Sequence, residues 1–133
     1  MANGSEGSPP AVLVIDDEKN QRGMLAFALT DHGYTVVAVE SGAAALAAAN
    51  LRPFDVAVCD IKMPGLDGVD TLKALKAQNP RLQVIMVTGY ASPKTAMASM
   101  KLGAFNYLAK PYDIKDLIII LEKAVARGRQ PPA

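Results

Sequence analysis

Short apolar runs recur along the chain and alternate with stretches whose apolar residues fall at helical spacing. Val12-Leu13-Val14-Ile15, Val56-Ala57-Val58-Cys59 and Val84-Ile85-Met86-Val87 contain no polar residue, which marks strands buried on both faces of a parallel sheet. Residues 35–39 form a β-branched second strand, and residues 106–109 form a short fifth that Pro111 stops. Between the strands, residues 18–30 place Met24, Leu25, Ala28 and Leu29 on one helical face, and Gly33 suits a left-handed cap. Ser41 caps an Ala-rich helix through about Asn50, and Val69, Leu72 and Leu75 mark a third helix. Ser92-Pro93 opens a fourth that ends near Gly103, and Asp113 caps a last helix running to about Arg127. The core stripe of that last helix is Ile114, Leu117, Ile118, Leu121, Ala124 and Val125, so Ile119 points away.

Alternating strands and helices with right-handed crossovers predict a single-domain, doubly wound (βα)5 α/β fold with a parallel sheet of flavodoxin-like strand order 2-1-3-4-5. That order opens a crevice at the carboxyl edge between strands one and three. The chain has 133 residues, half of them apolar, which suits one buried domain. Residues 11–127 are expected to form it, after a disordered Gly/Ser/Pro-rich leader at 1–10 and before a flexible tail or linker at 128–133. A net charge of +1 provides no field favouring nucleic acid or an anionic membrane. No apolar stretch nears the ~20 residues that span a bilayer, and the start lacks the pattern of a signal peptide. The single cysteine, Cys59, lies in an apolar run and suits a reducing, cytoplasmic setting. His32 has no second histidine or cysteine pair beside it and reads as a turn residue.

The chemistry gathers at the ends of the strands. Asp16 and Asp17 follow the first, Asp60 ends the third, Thr88 the fourth, and Lys110 follows the fifth. Three carboxylates in one crevice repel each other unless a cation joins them. Mg²⁺ fits, because it takes hard oxygen ligands and keeps several waters, so these acids and one backbone carbonyl, that of Lys62, suffice. A purely capping role at the first helix accounts for one of Asp16 and Asp17 but hardly for both. Lys110 is expected against Asp60 from the side opposite the metal. An ammonium there, with the hydroxyl of Thr88, would neutralise a phosphoryl group carried on the carboxylate.

Asp16-Asp17, Asp60 with Lys62-Met63-Pro64-Gly65-Leu66-Asp67-Gly68, Thr88-Gly89, Gly103-Ala104-Phe105-Asn106-Tyr107-Leu108 and Lys110-Pro111 stand in an order and spacing that resemble the receiver domains of two-component response regulators. The likeness runs from about Ala11 to Ala126, and the wording around Asp60 and after Gly103 is most similar to receivers of nitrogen-regulation-type transcriptional activators. The resemblance implies that Asp60 accepts a phosphoryl group from a sensor histidine kinase in a Mg²⁺-dependent reaction, with Asp16 and Asp17 at the metal. It further implies that Lys110 binds the phosphoryl group, that Thr88 moves toward it, and that Tyr107 turns inward as an aromatic switch. A cis bond at Lys110-Pro111 also follows from the resemblance.

Lys62 and Tyr90, two residues after Asp60 and Thr88, occupy positions that vary in the family and bear on the lifetime of the phosphoryl group. Met97, Met100 and Ile119 mark a surface of helix four, strand five and helix five for a downstream effector or a phosphorylation-dependent homodimer. Three other readings compete. A flavin or dinucleotide binder needs backbone N–H groups, glycines and hydroxyls where Asp16-Asp17-Glu18 stands. An aspartate-nucleophile phosphatase needs an acid or base near Asp60, which Ile61-Lys62 does not supply. A degenerate receiver used only for docking would not retain the acids, Thr88 and Lys110 together. The expectation is therefore a signalling switch whose only chemistry is self-phosphotransfer and autodephosphorylation, with no direct nucleic-acid or membrane partner.

Overall fold

The computed structural model describes residues 8–63 and 65–130. Within them the chain runs β1 (Ala11–Ile15), α1 (Lys19–Asp31), β2 (Thr35–Val39), α2 (Gly42–Leu51), β3 (Val56–Asp60), α3 (Gly68–Gln78), β4 (Gln83–Thr88), α4 (Pro93–Lys101), β5 (Asn106–Ala109) and α5 (Ile114–Arg129). All strand pairs are parallel, in the order β2-β1-β3-β4-β5. The fold is the one the alternation predicts.

The apolar strand runs are buried from both sides. Val12, Val14, Val58 and Val87 pack with Leu29 of α1 and Leu117 and Leu121 of α5. Leu13, Ile15, Cys59 and Met86 face Ala45 of α2 and Leu72 and Leu75 of α3. Ser41, Ser92 and Asp113 cap α2, α4 and α5 with side-chain oxygens that accept from backbone N–H groups, as read from the sequence. Gly33 and Gly103 take φ of 101° and 95°, the left-handed conformation that follows a helix end. None of the described helices is long and apolar enough to cross a membrane.

Several expectations need correction. Glu18 is the N-cap of α1, with its carboxylate accepting from Asn20 N–H and Gln21 N–H, so the helix begins at Lys19. Met24 is 73% exposed although it shares the spacing of buried Leu29, and Ile114 at the start of α5 is likewise exposed. Met24 lies mid-helix but ~140° around the axis from Leu29 at ~100° per residue, off the covered face, whereas Ile114 is the first residue of α5, beyond the reach of the sheet. The last helix continues through Gly128 and Arg129, beyond its expected end. Long-range anchors hold that last turn: Arg81 donates to the Gly128 carbonyl at 3.0 Å, and Arg129 grips both oxygens of Asp55 at 2.9 and 3.2 Å. Residues 1–7 of the expected leader and 131–133 of the expected tail lie outside the described residues.

Candidate functional site

Strand register decides which rim side chains meet. Ile15 pairs with Cys59, so Asp16 and Asp60 follow at the same level and on the same face. Asp60 pairs with Val87, and Thr88 with Ala109, so Lys110 lies two residues beyond the level of Asp60 and shares its face. One carboxylate oxygen from each of Asp16, Asp17 and Asp60 lies within 4.8 Å of the others. Asp16 and Asp60 are buried, whereas Asp17 is exposed at the mouth.

Lys110 ties the cluster together. Its ammonium donates to Asp60 Oδ2 at 3.0 Å, to Gln21 Oε1 at 2.8 Å and to Asp16 Oδ2 at 3.5 Å. These three acceptors match the three N–H groups of lysine. The ammonium therefore reaches two of the acids, rather than standing only on the far side of Asp60. Burial alone would lower its pKa, but the hydrogen bond and charge of Asp60, with Asp16, outweigh burial and raise it above the ordinary lysine value. Burial also raises the Asp16 carboxyl, despite the Glu18 N–H and Lys110, which both lower it. Backbone groups aim the acids: Glu18 N–H donates to Asp16 Oδ1 at 2.9 Å and Lys62 N–H to Asp60 Oδ1 at 3.2 Å. Burial pushes the Cys59 thiol, one residue before Asp60, far up, so it stays an unreactive core group.

Thr88 and Tyr107 belong to the other face. Strand alternation turns both toward the α3 and α4 side, where Tyr107 packs on the core and Thr88 is buried. The Thr88 hydroxyl accepts from Tyr90 N–H at 3.0 Å. The structure thus brings together Asp16, Asp17, Asp60 and Lys110, and sets Thr88 behind them with Tyr107. Lys62 and Tyr90 meet across the mouth, with the Lys62 ammonium 5.1 Å from the centre of the Tyr90 ring. The peptide bond Lys110-Pro111 is cis, as the resemblance implied. Met97, Met100 and Ile119 are exposed on α4 and α5.

Two contacts escaped the sequence reading. Gln21 is a neutral amide whose only signal was its place in the first turn of α1, beside the rim. Arg22 donates to the Asp16 carbonyl at 2.8 Å and pins the turn that aims that carboxylate. From the acids a groove of about 970 Å³ extends between α1 and the start of α5, past Met24, Leu25, Tyr112 and Ile114.

A doubly wound parallel sheet of order β2-β1-β3-β4-β5, with an acid cluster that could hold a metal ion and a lysine at its switch point, defines a domain of the flavodoxin-like class. Comparison with known proteins narrows that class. The family described as "Response regulator receiver domain" matches residues 12–122, and the chain belongs to that family. It is 42% identical over 115 residues to the transcriptional regulatory protein ZraR of Escherichia coli O157:H7, covering 86% of this chain and 26% of that protein. It is 38% identical over 119 residues to the DNA-binding transcriptional regulator NtrC of Escherichia coli K12, covering 90% of this chain and 25% of that protein. The likeness to receivers of nitrogen-regulation-type activators is thereby borne out. The chain spans about a quarter of the length of these relatives. A response regulator from Burkholderia pseudomallei, solved with a phosphorylated aspartic acid, calcium ion and citrate, superposes with a TM-score of 0.81 at 32% identity, covering 88% of this chain and 69% of that one. Receiver domains are signalling switches that use Mg²⁺ at an acidic pocket and pair with histidine kinases and effector domains.

Proposed function

We propose that this receiver is a cytoplasmic switch that takes a phosphoryl group from a sensor histidine kinase onto Asp60. The observation that carries the reading is the convergence of Asp16, Asp17, Asp60 and Lys110 at one point of the rim. In the transfer, an Asp60 carboxylate oxygen attacks phosphorus, a P–O bond forms, and the P–N bond to the donor imidazole breaks. The relative solved with a phosphorylated aspartate and a calcium ion supports the same chemistry here.

The donor set suits Mg²⁺, being hard oxygens with room for waters. Asp16, Asp17 and Asp60, with the Lys62 carbonyl, would hold the ion, which neutralises charge on the phosphoryl oxygens when bound. Lys110 binds the phosphoryl group from β5, and Thr88 swings toward it from the opposite face. Tyr107 follows, and the α4-β5-α5 surface bearing Met97, Met100 and Ile119 changes for an effector domain or a second copy of the chain. Apart from gain and loss of its own phosphoryl group, the chain performs no catalysis.

Incubation with acetyl phosphate, read by intact mass, tests the reading. One phosphoryl group is expected with Mg²⁺, and none with chelator or in Asp60→Asn. Labelling that persists in Asp60→Asn would move the acceptor elsewhere, and labelling in chelator would remove the metal.

The Lys62–Tyr90 contact bridges two loops over the acceptor and hinders entry of water. An exposed pair of this kind contributes ~0.5–1 kcal/mol, so Tyr90→Ala is expected to hasten loss of the phosphoryl group by about two- to fivefold. A time course of dephosphorylation measures it, and an unchanged or slower rate refutes the gate.

A further inference from the structure

The face of α4 that meets the sheet is unusually polar. Thr95 and Ser99 lie one turn apart on it, with Leu102 beyond. Ser99 is fully buried, and its hydroxyl is the buried side-chain atom that finds no hydrogen-bond partner among the described residues. An unpaired buried hydroxyl weakens the seat of a helix. Thr95, by contrast, is bound: its Oγ1 lies 2.7 Å from the Tyr107 hydroxyl.

The donors and acceptors around that contact form a closed set. Ser92 N–H donates to the Tyr107 oxygen at 3.3 Å, which leaves the tyrosine its own proton to give to Thr95. The Thr95 hydroxyl can then donate to Ser92 Oγ at 3.0 Å or to the Ser92 carbonyl at 3.3 Å, while Thr95 N–H donates to Ser92 Oγ at 3.1 Å. The first turn of α4 is thus fastened to the side chain of β5 that faces the same core as Thr88. Behind that fastening, the Ser99 side chain adds no hydrogen bond to hold the helix, which is tied there only through its backbone, by Ala104 N–H donating to the Ser99 carbonyl at 3.0 Å. Met97 and Met100 project from the outer side of the same short helix and move with it.

We infer that Thr95 is a positioning residue that latches the Tyr107 hydroxyl to the first turn of a loosely seated α4, so that a movement of Tyr107 is transmitted to the exposed face carrying Met97 and Met100. The inference rests on the phosphorylation reading for its trigger, but the latch itself is a property of the resting chain. Thr95→Val keeps the side-chain shape and removes the hydroxyl. Tyr107→Phe breaks the same bond from the other side, and Thr95→Ser retains it.

The full chain, isotope-labelled on its methionine methyls, is compared by NMR as wild type and as these three variants, before and after treatment with acetyl phosphate and Mg²⁺. The Met97 and Met100 resonances are expected to move on labelling in the wild type and in Thr95→Ser. That movement should fall by at least half in Thr95→Val and Tyr107→Phe, with the extent of Asp60 labelling equal throughout. Equal methyl movement in all four chains overturns the latch and leaves the phosphorylation reading standing. A wild type that takes no label overturns that reading instead, and the untreated chains then decide the latch. Among the four tyrosines, the fluorotyrosine resonance lost in Tyr107→Phe should shift in Thr95→Val and return in Thr95→Ser. A resonance that Thr95→Val leaves in place overturns the latch.

Discussion

Gly68→Ala is expected to destabilise the domain by about 3 kcal/mol and to lower its melting temperature by roughly 10 °C, although alanine is the better helix former. Gly68 opens α3 directly above the end of β3, and its N–H donates to the Ile61 carbonyl at 2.8 Å. A β-carbon there would stand 2.3 Å from the Asp60 carbonyl oxygen and 2.5 Å from Ile61 Cα. Both neighbours are backbone and cannot rotate aside. Either α3 lifts off the sheet or the loop after Asp60 shifts, and that loop carries the Lys62 N–H that aims the Asp60 carboxylate. Loss of stability should therefore come with slower labelling of Asp60. Gly23→Ala provides the control, because a β-carbon at that position in α1 meets nothing within 4 Å. Relief of a mid-helix glycine should raise stability by about 0.5–1 kcal/mol. Thermal melts of both variants read the contrast, and a Gly68→Ala chain as stable as the wild type would mean that α3 does not sit so close to the acceptor.

The glycine shows where the sequence could be read and where it could not. Strands β1, β3 and β4 were legible because burial on both faces leaves uninterrupted apolar runs, and the helix starts because serine and aspartate cap in a recognisable way. Asp16, Asp17, Asp60 and Lys110 could be assembled from topology alone, since a parallel sheet delivers every strand end to one rim. The facing of Thr88 could not. A residue at the end of a strand points to either side until the register with its neighbour is known, and here the Thr88–Ala109 pairing turns it away from Lys110. Gln21 and Thr95 were hidden for another reason: each makes its telling contact with a residue far away in the chain, Lys110 or Tyr107. A neutral amide or a helix threonine gives no local pattern for such a contact. The extension of α5 past Arg127 is similar, its last turn being tied down by Arg81 and Asp55 from far away in the chain.

Lys110→Met is expected to have opposite effects on folding and on cation binding. In the wild type the ammonium faces Asp60 at 3.0 Å and Asp16 at 3.5 Å, with the three side chains only 21%, 11% and 8% exposed. Removing one partner of a buried pair costs ~3–5 kcal/mol, because the charge left behind has neither water nor partner. The partial exposure of this cluster and the exposed position of Asp17 reduce that to about 2 kcal/mol in chelator. The sign with pH follows from the raised pKa of Lys110. Its contribution is present in full below the ordinary lysine value of 10.5 and is lost as pH rises through the higher folded value. The gap between wild type and variant should therefore be flat through neutrality and close only in strong alkali. Mg²⁺ reverses the comparison, since the same ammonium repels a dication drawn to the same carboxylates. Its removal should tighten Mg²⁺ binding by about tenfold, ~1.4 kcal/mol, a modest share of the Coulomb energy between charges a few ångströms apart at an effective dielectric near ~20. Calorimetric titration measures the affinity, and denaturant melts with and without Mg²⁺ should show the variant gaining more from the ion than the wild type does. Weaker Mg²⁺ binding in Lys110→Met would show that the lysine shapes the acid pocket for the cation instead of competing with it.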